Sequence, residues 1–331
     1  MPVLVTGASG FLGGRLAEIL AREGEAVKVL ARAGSGLQHL AGVAGLRVVR
    51  GSLTDRGPLL EAVREVTQIF HCAAASTDWA RAEIYAESNV RGTEMLLEAA
   101  HEASRLERFV HVSTTDVYGY PPTPCAEIGP LKDVGLPYNS TKIAAERAVW
   151  RDARETGLPV TVIRPATIFG PRGKAFGTDI AALLRKRQMA YIGGGRTTGG
   201  FLYVDNAVEG ILAAARSGAA QGEAYNLSDG TGATWKEYVT ALAEGLGYRS
   251  PWIDLPFGAA LVLAGAMEAP YRWMRKMPGR PLLTRHAVFL LGRNQEFPVE
   301  KARTDLGFVS RVSLEDGVGR LVSWLKSLPR G

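Results

Sequence analysis

The sequence predicts an α/β protein, a doubly wound parallel sheet with a smaller, interleaved and mainly C-terminal lobe. Three observations carry this reading. The apolar strand Val3-Leu4-Val5 runs directly into the turn Thr6-Gly7-Ala8-Ser9-Gly10-Phe11-Leu12-Gly13 and on into a helical pattern. Further apolar strands follow at 27–31, 46–50, 68–72, 108–112 and 160–164, with helical segments between them, and 224–227 reads as a last sheet strand. The chain of 331 residues is long enough for one large or two interlocked cores, and it has no repeat, flexible linker or low-complexity stretch.

The first strand and turn set the chemistry. Leu12, Leu16, Ile19 and Leu20 recur at helical spacing up to Arg22, and Gly24 ends the helix. Gly7 permits a tight turn, Gly10 lets backbone approach a pyrophosphate, and Gly13 lets the helix pack close to its strand. Phosphates would sit at the positive helix N-terminus. A glycine trio alone could be a plain turn; its place between strand and helix makes Thr6, Gly7, Ser9, Gly10, Phe11, Leu12 and Gly13 candidate dinucleotide contacts. At the end of the second strand, Arg32 stands where an NAD site commonly carries an acidic residue, with Ser35 close behind. A guanidinium suits a 2′-phosphate. NADP(H) is therefore favoured, against the bland alternative of a solvated arginine, and NAD(H) stays open. The small residues Ala73, Ala74 and Ala75 after the fourth strand would let backbone lie against the cofactor.

Tyr138 and Lys142 share one helix face at i, i+4. A phenol ordinarily ionises near pH 10, and a nearby ammonium is expected to bring it toward the working range, so the pair can move a proton on or off an alcohol oxygen. Most Tyr/Lys pairs at this spacing are only a half-buried ring and a solvated amine, so the context must decide. Ser113 and Thr114 follow the fifth strand, at the sheet edge where ligands of such folds gather. A lone hydroxyl there usually caps a turn; two of them ahead of Tyr138 and Lys142 point to a site. His71 reads as a satisfied core histidine.

Lys and Arg exceed Asp and Glu by 39 to 33, and the excess is dispersed, which suits an anionic cofactor and argues against nucleic acid. Cys72 and Cys125 show no metal or disulfide pattern, no secretion signal precedes the first strand, and a reducing cytoplasm is expected. The chemistry needs no metal.

The motifs together resemble the extended short-chain dehydrogenase/reductases: a Thr-Gly-x-x-Gly-x-x-Gly turn, a Ser/Thr ahead of Val117-Tyr118-Gly119, and Tyr-x-x-x-Lys, in order and over nearly the whole chain. The resemblance implies a Rossmann domain. It implies Tyr138 as general acid/base, Lys142 binding the nicotinamide ribose and lowering the tyrosine pKa, and Thr114 hydrogen-bonding the substrate oxygen, with Ser113 as the alternative. Asn89 resembles an asparagine that braces neighbouring strands. Ser52 replaces an aspartate that many members place on the adenine, leaving backbone and Leu53 for that task. Pro165 and Thr167 follow the sixth strand where the family passes the nicotinamide. Members acting on nucleotide sugars commonly have asparagine at the position of Thr167, which counts against a sugar nucleotide. The domains are then 1–164 plus 201–228 for the dinucleotide, and 165–200 plus 229–331 for the substrate. A homodimer through two long helices is common in the family.

The C-terminal third points to the substrate. Residues 255–267 are almost wholly apolar, followed by Tyr271, Trp273 and Met274 among Arg272, Arg275 and Lys276. The run is too short to span a bilayer. It reads as a buried helix, a greasy cap over the site, or a face for peripheral membrane contact. Stretches at 281–285, 297–302 and 306–308 resemble the 3β-hydroxysteroid and sterol-4-carboxylate dehydrogenase branch. The expected activity is a ketoreductase or alcohol dehydrogenase acting on a small hydrophobic, cyclic substrate of steroid or polyketide type. Its rivals are a sugar-nucleotide epimerase or dehydratase with retained nicotinamide, and a non-catalytic NADP sensor. Candidate substrate contacts are Ser76, Thr77, Thr114, Phe176 and Tyr191.

Overall fold

The computed structural model describes residues 1–274 and 279–329. Arg275 and Lys276 lie outside the described residues. In the first half, strands β1 (Pro2–Thr6), β2 (Ala26–Ala31), β3 (Leu46–Arg50), β4 (Gln68–His71), β5 (Arg108–Val112) and β6 (Val160–Pro165) alternate with helices α1 (Phe11–Arg22), α2 (Arg56–Val63), α3 (Ala82–Tyr85), α4 (Gly92–Ala100) and α5 (Pro137–Thr156). The second half carries β7 (Thr167–Phe169), α6 (Ile180–Arg185), β8 (Ala190–Ile192), β9 (Phe201–Tyr203), α7 (Val204–Arg216), β10 (Ala224–Leu227), α8 (Trp235–Leu246), β11 (Ile253–Leu255), α9 (Phe257–Trp273), α10 (Arg285–Gly292), α11 (Glu300–Leu306) and α12 (Leu314–Ser327).

Seven strands form one parallel sheet in the order β10-β6-β5-β4-β1-β2-β3. The central strands β1, β4, β5 and β6 are buried along nearly their whole length because both faces are covered, whereas the edge strand β3 is largely exposed. Val3, Val5, Val27, Val29, Phe70 and Val110 pack under α1 and α7. Leu4, Leu30, Ile69 and Phe109 point the other way, against α2, α4 and α5.

The strand order reverses between β1 and β4, and the crevice for ligands opens at their carboxyl ends. Two glycines make this crossing possible. Gly7 has φ +75°, and a Cβ on it would lie 2.7 Å from the Ala73 nitrogen. A Cβ on Gly13 would lie 2.6 Å from the Gly7 carbonyl oxygen, so any side chain there would push α1 off its strand. Between α3 and α4 the chain widens into a π-helical turn, Ala86–Arg91. That turn carries Asn89, which accepts from the Ala75 N–H at 2.7 Å and donates to the Ala75 carbonyl at 3.3 Å and the Thr141 hydroxyl at 3.2 Å. It ties the loop after β4 to α5. Helix α5 opens with proline in its first turn and closes on Gly157 in the left-handed conformation.

The smaller lobe packs around an aromatic cluster of Phe169, Phe201, Tyr203, Trp235 and Tyr238. Two short parallel pairs, β7–β9 and β8–β11, frame it. The chain crosses between lobes repeatedly. Residues 201–203 pair with β7 outside the large sheet, while Ala302 and Phe308 pack into the core under α7.

The apolar run is α9, and it is not an ordinary buried helix: only Ala260, Ala264 and Glu268 are buried, while Val262 is 75% and Trp273 92% exposed. Among the described residues no helix is long and apolar enough to cross a membrane.

Candidate active site

Tyr138 sits in the first turn of α5 and Thr114 just past the end of β5, so both reach the mouth of the crevice. The Thr114 hydroxyl is within hydrogen-bonding reach of the Tyr138 phenol. Thr114 already accepts from the Asp116 N–H at 3.2 Å, which leaves its own proton free to donate. Ser113, one residue earlier, points into the core and donates to Glu146 at 2.6 Å. The fold thus separates two hydroxyls that the sequence leaves as alternatives.

Lys142 is buried one turn along α5 and donates to the Val112 carbonyl at 2.8 Å. Burial lowers its pKa to about 8, against the opposing influence of Glu146 and Cys72. Tyr138 behaves differently from expectation. Burial pushes its phenol up and the Asp116 carboxylate adds to this, while the Thr114 hydrogen bond only partly offsets them. Lys142 is drawn toward the Val112 carbonyl, and burial and Asp116 set the direction of the Tyr138 shift.

Behind these residues lies a buried polar frame. Arg164 pairs with Glu146 and donates to the Tyr118 hydroxyl at 2.7 Å, and Tyr118 donates to Asn226 at 2.7 Å. Asn139 donates to the carbonyls of Asp116 (2.6 Å) and Lys132 (3.1 Å). His71 is a core histidine, as the sequence suggests: it bridges the Thr6 and Thr93 hydroxyls at 2.8 and 2.9 Å, and burial lowers its pKa to about 3.

The glycine-rich turn fits a dinucleotide. Helix α1 starts at Gly10 with no side-chain cap and no acidic residue in its first turn, so its N–H groups remain available to an anion. A Cβ on Gly10 would meet only the Gly7 oxygen, at 3.2 Å, so the residue's other side is open to close approach. Ser9 is exposed beside it, whereas Phe11 and Leu12 lean on the smaller lobe and Thr6 is held by His71 and the Ala73 N–H. Arg32 is exposed at the carboxyl end of β2, its carbonyl accepting from the Ser35 N–H at 3.1 Å and from Arg50 at 3.3 Å. Ser52 closes a turn with Thr54 and Asp55, and Leu53 packs on Gly92. Pro165 ends β6, and the Thr167 N–H bonds the Gly200 carbonyl. Gly14 and His39 had no signal in the sequence: His39 Nε2 lies 3.0 Å from the Ala8 carbonyl, in space that a Cβ on Gly14 would occupy.

The proposed substrate contacts divide. Ser76 and Thr77 are exposed after the alanines, and the Thr77 carbonyl accepts from Tyr85, whose ring tilts on Tyr138 at 6.3 Å. Phe176 and Tyr191 lie with the aromatic core of the smaller lobe, Tyr191 buried in it and Phe176 half-buried against it. Phe176 lies against Trp235 at 5.7 Å, and the Tyr191 hydroxyl is 3.2 Å from Thr240. Instead, α10 brings His286 to the site. Its ring stacks on Tyr138 at 5.4 Å with 23° between planes, and its Nε2 lies 2.9 Å from Asp116 Oδ2. Tyr120 donates to the same oxygen at 3.1 Å.

Residues 3–228 match the NAD dependent epimerase/dehydratase family. The chain belongs to this family. Similar proteins include the 4-hydroxy-2-methyl-3-oxo-4-farnesyl-3,4-dihydroquinoline-1-oxide ketoreductase of Stigmatella aurantiaca, 34% identical over 97% of this chain and 96% of that protein. The 2-alkyl-3-oxoalkanoate reductase of Stenotrophomonas maltophilia is 32% identical over 97% and 98%. The decarboxylating sterol-4-alpha-carboxylate 3-dehydrogenase of Homo sapiens is 27% identical over 98% and 88%. A solved dTDP-glucose 4,6-dehydratase of Streptomyces venezuelae, with NAD bound, superposes with a TM-score of 0.80 at 26% identity over 99% and 97%. This epimerase/dehydratase family member is an oxidoreductase of the extended short-chain type, acting on CH–OH and ketone groups with a nicotinamide cofactor.

Proposed function

We propose that the protein is an NADP(H)-dependent ketoreductase that interconverts a secondary alcohol and a ketone on a hydrophobic, cyclic substrate of steroid or polyketide type. The observation that carries this reading is the meeting of the Tyr138 phenol, from the first turn of α5, with a Thr114 hydroxyl at the end of β5 that has a proton to spare. A nicotinamide cofactor whose pyrophosphate is held on the glycine-rich turn would supply the hydride. Tyr138 Oη gives its proton to the carbonyl oxygen as charge gathers there, and Thr114 Oγ1 donates a hydrogen bond to the same oxygen. Lys142, whose ammonium donates to the Val112 carbonyl, is assigned to the nicotinamide ribose.

Arg32, exposed with no ion pair among the described residues, and Ser35 are assigned to the 2′-phosphate, with Arg50 adding positive charge at the end of β3. The apolar substrate follows from the exposed face of α9, which would lie against membrane or guide a greasy ligand. The names of the three relatives share one further feature: the carbon beside the reacting one bears an oxygen group, a hydroxyl in one and a carboxylate in two. We extend that feature to this protein's substrate.

The test is coenzyme oxidation by the purified protein, with NADPH and NADH in parallel, against cyclic apolar ketones and a nucleotide keto-sugar. Turnover with NADPH and an apolar ketone is expected. Tyr138→Phe should lower it by about 10³-fold while melting and NADPH binding stay close to wild type. Near-normal turnover in that variant removes the acid/base assignment. A preference for NADH removes the assignment of Arg32, and turnover of the keto-sugar alone restores the epimerase reading.

A further inference from the structure

We infer that His286 selects the substrate by binding the oxygen group on the carbon next to the reacting carbonyl. The inference rests on the ketoreductase reading and deepens it. A ketone whose oxygen meets Tyr138 Oη must carry its nearest substituents along the wall beside that ring, and His286 is stacked on the ring, 5.4 Å away. The near-parallel stacking turns a face of the imidazole, not a nitrogen, toward the phenol ring, which is poor geometry for passing a proton to Tyr138 itself. It leaves the ring edge for a ligand.

The nitrogens divide the work. Nε2 is held by Asp116 Oδ2 at 2.9 Å, whereas Nδ1 has no hydrogen bond among the described residues. With Nε2–H donated to Asp116, a neutral ring offers Nδ1 as acceptor to a hydroxyl; a charged ring offers Nδ1–H to a carboxylate. Either oxygen group is served by one side chain.

The surroundings show that the ring is held and not merely adjacent. Asp116 is buried and also accepts from Tyr120. Tyr120 has φ +59°, a left-handed conformation that is strained for a residue with a side chain. Its ring is stacked on Phe289 of α10 at 5.3 Å. Thr284 caps the start of α10 through the Ala287 N–H and donates to Asp78, fixing the turn that delivers His286. Strain and fixation converge on the position of one imidazole.

The experiment compares pairs of cyclic apolar substrates with NADPH and NADH in parallel: a freshly prepared cyclic β-keto acid against the ketone left by its decarboxylation, and a cyclic α-hydroxy ketone against the ketone without its hydroxyl. The wild type should prefer the oxygen-bearing partner in kcat/KM. In His286→Ala the preference should shrink by about tenfold to a hundredfold, chiefly through KM. His286→Gln, which can still donate to Asp116, should keep more of the fold and lose the preference for the carboxylate. An equal loss on both members of a pair, with the ratio kept, makes His286 a structural brace and overturns the proposal, as does a wild type without preference. Failure of the wild type to reduce any of the ketones strikes the ketoreductase reading itself, and is distinguished from the failure of His286 by that criterion.

Discussion

Ser113, Glu146, Arg164, Tyr118 and Asn226 hold the catalytic wall of the crevice through buried groups, whereas Asp78, Arg280 and Asp179 tie the opposite wall at the surface. In the first set the Glu146 and Arg164 side chains are 0% and 6% exposed. In the second, Arg280 is 42% exposed, 2.9 Å from Asp78 and 3.6 Å from Asp179. Trp79 adds an edge-on contact to Tyr271 at 6.0 Å. On the proposed mechanism the difference is one of function: proton transfer would need Tyr138, Thr114 and Lys142 fixed closely, which supports in the core provide. The opposite wall is fastened at its surface by exposed ion pairs, which are individually weak.

Breaking the buried support should have the largest effect. Glu146→Ala leaves Arg164 charged and unpaired in the core and removes the acceptor of Ser113. A loss of about 3–5 kcal/mol in denaturant unfolding is expected. A loss under 1 kcal/mol would mean that the two walls do not differ in this way.

The next effect is on pH dependence. Burial holds Lys142 at about 8, below its ordinary 10.5, so the ammonium is lost as pH rises through about 8. Ketone reduction should fall above that pH, and Lys142→Met should abolish the limb along with most activity. Glu146 raises the Lys142 pKa, so Glu146→Gln should move the limb to lower pH. The same shift affects stability. The unfolded amine holds its proton more tightly than the folded one, so folding is penalised below pH 8 and the penalty is relieved between 8 and 10.5. A limb unchanged in Lys142→Met would assign it to another group.

The catalytic wall was legible in the sequence because its residues answer local demands. Gly7 and Gly13 are set by a left-handed turn and a close helix crossing, and Tyr138 and Lys142 by one turn of helix. Between Thr114 and Ser113 the family motif favoured Thr114, and the end of β5 gives the physical reason by turning Ser113 toward Glu146. The opposite wall was not legible. His286 reaches Asp116 across 170 residues of sequence, and nothing near it in the chain marks it. Tyr191 and Phe176 show a second limit: an aromatic residue in a small lobe reads the same whether it lines a pocket or fills the core, and here both pack with the cluster of Phe201, Trp235 and Tyr238. The exposed side of α9 could not be read either, because an apolar run gives no sign of which face has a partner.

The smallest effect on stability, and the sharpest probe of the comparison, is expected at the surface tie. Arg280→Ala removes the ion pairs to Asp78 and Asp179, and exposed pairs of this kind contribute about 1 kcal/mol or less. Melting should therefore barely move. The wall carrying Thr284 and His286 loses one of its fastenings, since Asp78 also accepts from Thr284 at 3.1 Å. KM for the ketone should rise several-fold with kcat little changed, and the effect should weaken for small ketones that do not fill the crevice. If melting falls as far as in Glu146→Ala, the two walls are equally built into the core. If KM is unchanged for every ketone, the tie is a surface decoration and α10 holds its place without it.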